Sequence, residues 1–220
     1  MNEEERGTGS WRTLEYEKRR GNLYPTHGLG PVSQYMNLLR SEDTFKSLVS
    51  LSSPALGRKK FAEENFPSNH KWNKLNYQNG DINTSIIKTY LGRTIMVQWD
   101  ETSPRPYTRL NLIQGTKGIL AGGPTRAAFD NGFENYSNDA EKWITGKGIE
   151  QLYEKFDHPL YKRLNSKTKY SGHGGMDGIM MYRIVECLQN GLPLDQNVYE
   201  GSAWSLSLIH ISEPTRLDGI

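Results

Sequence analysis

A single cysteine, Cys187, stands in 220 residues, which excludes an internal disulfide framework and a cysteine-rich metal site. No stretch comes near the roughly 20 consecutive apolar residues that a membrane-spanning helix needs. An excess of one charge is lacking too. The 27 basic and 25 acidic side chains leave a formal net charge of +2, so there is no strong field to gather nucleic acid or anionic lipid. The basic runs Lys18-Arg19-Arg20 and Arg58-Lys59-Lys60 read as solvated turns. Residues 1–9 are an acidic, polar lead-in without the apolar centre of a signal peptide. No G-x-G-x-x-G follows a strand, and P-loop, H-E-x-x-H and G-x-S-x-G patterns are absent, so no self-contained catalytic engine is visible.

What is present is a folded chain with long polar loops. Hydrophobic residues make up 35 %, below the usual globular share, while glycine (22) and tyrosine (12) are plentiful. The length suits one domain with its own core. YPTHGLGP (24–31) reads as a turn-rich loop, followed by a short helix over 32–39 with Val32, Tyr35, Met36 and Leu39 on one face. Residues 52–80 read as loop, with a short helix near 59–65. SIIKTYLGRTIMVQW (85–99) is β-branched and apolar and predicts two strands turning at Gly92. LNLIQGTKGIL (110–120) predicts two more around Gly115 to Gly118, together making at least four strands of an antiparallel or mixed sheet. Helix is expected within 139–156, broken near Gly146 and Gly148. It is clearest over MDGIMMYRIVECLQN (176–190), where Gly191 and Pro193 give the stop and Cys187 and the methionines read as core. Strands followed by helices predict an α+β domain.

Three clusters carry candidate chemistry. Tyr24, Pro25, Thr26 and His27 lie beside Gly28 and Gly30, where backbone can approach a ligand; His27 alone reads either as a hydrogen-bonding loop residue or as a proton-transfer group. In DETSPRPYTR (100–109), Pro104 and Pro106 stiffen the loop carrying Tyr107, while Arg105 and Arg109 either bind an anion or pair with Asp100 and Glu101. In SGHGGMD (171–177), His173 either faces a ligand or belongs to a glycine-rich helix entry, with Asp177 in the first turn. His70 and His158 read as structural. A His27/His173 metal site lacks a carboxylate or cysteine to complete a known spacing, so no metal is expected.

Taken together and in order, SWRT (10–13), GNLYPTHGLGPV (21–32), GDINTSIIKT (80–89), GRTIMVQWDETSPRPYTRLNLIQGTKG (92–118) and GHGGMD (172–177) resemble glycoside hydrolase family 109. The similarity runs over residues 10–204. That family belongs to the glucose–fructose oxidoreductase and inositol dehydrogenase superfamily, which joins a Rossmann domain to a C-terminal open-sheet domain. The resemblance implies that this chain is the C-terminal, substrate-binding domain over 10–205, without the Rossmann half. It implies a bacterial NAD-dependent α-N-acetylgalactosaminidase acting on N-acetylgalactosamine-containing glycans. Oxidation at C3 of the sugar would acidify C2, the aglycone would leave by elimination, water would add, and the hydride would return. Glycosidases using NAD stand outside the two-carboxylate scheme.

By the same resemblance, Arg12, Tyr24, Pro25, Thr26, His27 and Tyr107 bind the sugar, and Tyr24 also touches NAD. His27 transfers the proton to the leaving oxygen. A further substrate tyrosine and most NAD-phosphate contacts are expected upstream of Met1. The superfamily's sheets commonly pair subunits, so a homo-oligomer through the sheet is implied. LSLIHISEPTR (206–216) looks like a translated sequencing adaptor, so 206–220 is expected to be a non-native tail and His210 carries no meaning. Two other readings are a sugar oxidoreductase of the same superfamily, which would release NADH, and a non-catalytic sugar-binding or oligomerisation module.

Overall fold

A computed structural model describes residues 10–40, 42–134, 136, 138–139 and 141–209. The lead-in 1–9 and most of the expected tail, 210–220, lie outside the described residues. The chain forms two compact units, one of residues 1–107 with 198–220 and one of 108–197. Helices and antiparallel sheets together make the expected α+β arrangement.

The first unit holds α1 (Ser10–Lys18), α2 (Thr26–Tyr35), β1 (Phe45–Ser52), α3 (Gly57–Asn65), β2 (Ile82–Thr89) and β3 (Thr94–Asp100). The hairpin expected over 85–99 is present as β2 and β3, with Ile86 opposite Met96 and Ile87 opposite Ile95. Period-2 alternation sends Ile87, Ile95 and Val97 to one face, where they join Leu29, Leu38 and Trp204 in a buried cluster. The other face leaves Val49, Ile86 and Met96 exposed in one row across the three strands, with Leu51 beside them.

Two sequence expectations are corrected in this unit, and one strand is new. Residues 24–31 are not a loop throughout, because α2 begins at Thr26 and includes Gly28, Gly30 and Pro31. Low intrinsic propensity is overridden by packing. A Cβ at Gly28 would stand 3.3 Å from Val97 Cγ1, and one at Gly30 would stand 3.5 Å from the Trp204 ring, so the glycines bring the helix close to the sheet and to a neighbouring helix. The helix also ends at Tyr35 rather than running to 39, with Asn37 and Leu39 at positive φ. Residues 45–52, unassigned from sequence, form the edge strand β1, paired antiparallel with β2. The second half of the neighbouring-helix contact is α7 (Val198–Ile209), which carries Trp204.

The second unit holds β4 (Leu112–Gly115), β5 (Gly118–Ala121), β6 (Arg126–Phe129), α4 (Lys147–Phe156), α5 (Pro159–Thr168) and α6 (Met176–Asn190). The strands expected around Gly115 to Gly118 pair as β4 and β5, but β6 completes a separate three-stranded sheet, so a single larger sheet is not formed. Helix within 139–156 is confined to α4; Ile144 instead bridges to Ala127 beside β6. The apolar face of α4, Ile149 and Leu152, closes on Ala127, Phe133 and Ile144. α6 has the expected bounds and stops at Gly191, whose φ of 61° suits a residue without Cβ. Cys187 is buried as expected, but Met176, Met180 and Met181 are exposed rather than in the core.

Candidate active site

α1 places Arg12 and Tyr16 four residues apart, hence on one face of the helix. The Tyr16 carbonyl accepts backbone N–H bonds from Gln78 (2.9 Å) and Asn79 (3.0 Å), tying the helix to the segment before β2. The buried Asn79 amide then clamps the following loop. Its Oδ1 accepts from Gly21 N–H at 3.3 Å and its Nδ2 donates to the Gly21 carbonyl at 2.9 Å. Buried Asn22 turns the chain by accepting the Tyr24 N–H at 2.8 Å. The loop is therefore built by amide side chains, and it delivers Tyr24 to the mouth of α2.

Three of the sequence candidates meet there. The Arg12 guanidinium carbon lies 5.1 Å from the Tyr24 ring centroid, within cation–π range. The Tyr24 and His27 rings are 4.5 Å apart at an interplanar angle of 31°. Both rings are exposed, Pro25 beneath them is buried, and Thr26 opens the helix half-buried. An exposed phenol beside a guanidinium and an imidazole gathers hydrogen-bonding groups of the kind a polar ligand can use.

Tyr107 sits on the loop after β3, its ring 83 % exposed. That loop is folded by Asp100, whose Oδ1 accepts from the Ser103 N–H (3.0 Å) and the Thr102 N–H (3.3 Å), and whose Oδ2 accepts from Arg105 Nε (2.8 Å). The alternative left open for Arg105 thus resolves to pairing with Asp100. Burial on its own would raise the Asp100 carboxyl, but the bonds from Ser103 and Arg105 outweigh it and hold the group below its ordinary value. Asp43 behaves alike: burial opposes ionisation, yet the Leu91 N–H, the Thr89 hydroxyl, Arg93 and the Thr44 N–H lower it. A carboxyl lowered in the folded state contributes stability above its unfolded value, about 3.9, and loses it as pH falls through the folded value. The urea midpoint is therefore expected to fall as pH drops below about 4. The fall should be shallower in Asp100→Asn, measured by circular dichroism across that range.

Three further residues around this site are not among the sequence candidates: Tyr16; Glu101, expected only as a partner of Arg105 or Arg109; and Arg58, expected in a solvated turn but placed in α3 with its side chain 10 % exposed. Glu101 accepts a hydrogen bond from the Tyr16 hydroxyl, pairs with Arg12 (3.5 Å) and accepts from Arg58 (3.0 Å). The Arg58 guanidinium lies flat over Tyr16, 3.2 Å from the ring centroid, and Tyr16 stacks on Trp99. Burial, reinforced by Glu101 against the lowering effect of Arg58, pushes the Tyr16 phenol well above its ordinary value, so it stays a donor. These contacts join positions 43 and 85 residues apart, which local pattern cannot foresee.

In the second unit, His173 Nδ1 meets both Asp177 oxygens at 2.9 and 3.0 Å. The carboxylate orients the imidazole, which is exposed and carried on a residue with φ of 54°. His70 and His158 accept the N–H bonds of Trp72 and Leu160 at the starts of short helices, the structural role expected of them. Among the described residues no three His, Cys, Asp or Glu side chains gather as metal ligands, and no helix is long and apolar enough to cross a membrane.

Comparison with known proteins gives the family: residues 1–215 match the C-terminal domain of glycosyl hydrolase 109, and the chain belongs to that family. It is 61 % identical over 216 residues to glycosyl hydrolase family 109 protein 1 of Akkermansia muciniphila, covering 97 % of this chain and 44 % of that one. A second Akkermansia muciniphila relative, family 109 protein 2, is 57 % identical over 203 residues, covering 91 % and 42 %. A Shewanella oneidensis protein named alpha-N-acetylgalactosaminidase is 54 % identical over 207 residues, covering 94 % and 44 %. The chain thus spans a little under half the length of these relatives, and it corresponds to a domain distinct from a Rossmann part.

Proposed function

We propose that this chain is the sugar-binding half of an NAD-dependent α-N-acetylgalactosaminidase. The observation that carries the reading is the row Arg12–Tyr24–His27, formed where α1, the Asn22–Asn79 loop and α2 converge. The name of the Shewanella oneidensis relative supports the substrate class.

For NAD the fit is partial. The exposed Tyr24 ring suits contact with a nicotinamide, whereas among the described residues no glycine-rich strand-to-helix turn is present to cradle a pyrophosphate. The phosphates would be held by the remainder of the longer protein. When bound, the cofactor supplies the oxidation at C3 of the sugar and its reversal. The residues of this chain act on the rest. The Arg12 fork donates to sugar oxygens, and the Tyr24 face and the Tyr107 ring pack on the sugar. Pro25 and Thr26 shape the floor. His27 gives the leaving oxygen its proton as the C1–O bond breaks.

The test joins this chain to the nucleotide-binding half of the Akkermansia muciniphila relative and supplies a nitrophenyl α-N-acetylgalactosaminide. Nitrophenol release with no net NADH supports the reading. Steady NADH accumulation in place of hydrolysis overturns it. The chain alone is expected to bind NAD very weakly in calorimetry, and micromolar affinity would contradict the division of labour.

A further inference from the structure

The carboxylate of Glu101 lies between two arginines that would otherwise repel each other. Arg58 is 10 % exposed and its Nε has no hydrogen-bond partner among the described residues, so its charge depends on Glu101 and the Tyr16 ring. A guanidinium so removed from water needs a counter-ion. Arg12, at 27 % exposure, shares that same carboxylate while its guanidinium carbon rests 5.1 Å from the centre of the Tyr24 ring. Tyr16 adds a third donor, its hydroxyl bonded to Glu101 Oε2. Glu101 is thus the point at which buried Tyr16, with half-buried Trp99 and Arg58 against it, meets the row of Arg12, Tyr24 and His27.

We propose that Glu101 is a positioning residue that holds the Arg12 guanidinium against Tyr24 and so sets sugar affinity through Arg12; this rests on the reading of Arg12 as a sugar ligand. Glutamine at 101 keeps the shape but removes the charge that offsets both arginines, so the Arg12 and Arg58 cations repel each other and the Arg12 arm shifts from its position against Tyr24. A residue that only stabilised the fold would lack this dependence on Arg12.

The experiment is a double-mutant cycle on N-acetylgalactosamine affinity, read by saturation-transfer NMR titration of the full chain. The folded fraction of each variant is measured by circular dichroism and the affinity corrected for it, because the apparent dissociation constant rises as that fraction falls. Arg12→Ala and Glu101→Gln are each expected to weaken binding about five- to tenfold, with the double variant no weaker than Arg12→Ala alone, as expected for residues in contact. If the two losses multiply, or Glu101→Gln leaves affinity unchanged while Arg12→Ala lowers it, the proposal is overturned and the sugar-site reading stands. If Arg12→Ala changes nothing, or the unsubstituted chain takes no sugar, both fall. Should Glu101→Gln not fold, Glu101→Asp enters the same cycle. It keeps the charge but shortens the arm by one methylene, and its loss of affinity is likewise expected to vanish in the Arg12→Ala background.

Discussion

Trp204→Ala is expected to destabilise the unit of residues 1–107 and 198–220 by about 3–5 kcal/mol. The indole is 4 % exposed and packs in the cluster of Leu29, Leu38, Ile87, Ile95 and Val97. It is also the surface on which Gly30 of α2 rests, 3.5 Å from a Cβ placed there. Truncation opens a cavity that a glycine-bearing helix cannot fill, because Gly30 has no side chain to collapse into it. Trp204→Phe should cost much less. The Nε1 of Trp204 is buried without a hydrogen-bond partner among the described residues, so losing it removes an unsatisfied donor along with some packing area. Urea unfolding followed by far-UV circular dichroism separates the two variants. An alanine variant as stable as the parent would mean that α7 is not docked on α2. The consequence reaches function, since α2 presents His27 and its loosening should lower sugar affinity in step with stability.

The same helix shows why some of the fold could be read and some could not. β2 and β3 were legible because residues 85–99 are β-branched and apolar and Gly92 marks the turn, although β2 begins three residues earlier, at Ile82. α6 was legible because Gly191 ends an uninterrupted helical pattern. α2 was not, because two glycines and a proline argue locally for a loop, and only the proximity of Val97 and Trp204 makes them favourable. β1 escaped because an edge strand that covers the core with few side chains carries little alternation, and β6 because four residues are too short for a period. The α6 methionines mislead in the opposite sense, being apolar yet exposed. For the site, the resemblance drew attention to Arg12, Tyr24 and His27, and their proximity is a product of Asn22 and Asn79, two buried amides no motif singles out. Glu101 was visible only as a neighbour of Asp100. Its partners Tyr16 and Arg58 come from α1 and α3, so its role appears once those helices are in place.

His27→Ala, in this chain joined to a nucleotide-binding half, is expected to lower kcat/KM about 10²- to 10⁴-fold for a glycoside with an unactivated aglycone, the usual contribution of a positioned proton-transfer group. The loss should be far smaller for a nitrophenyl glycoside. Its leaving oxygen is a weak base that departs without a proton, so the imidazole has little to add in that transition state. The geometry makes the comparison informative. His27 lies in the first turn of a helix fixed by Leu29 and Gly30 and is exposed, with its ring against Tyr24 at 4.5 Å, so alanine removes a side chain that lies outside the core. Any loss of stability should accordingly be small beside that of Trp204→Ala in the same urea assay. Equal losses on both substrates would assign His27 to binding or to an earlier step and remove it from leaving-group protonation. A loss confined to the unactivated glycoside would leave proton transfer as the role that this exposed imidazole performs.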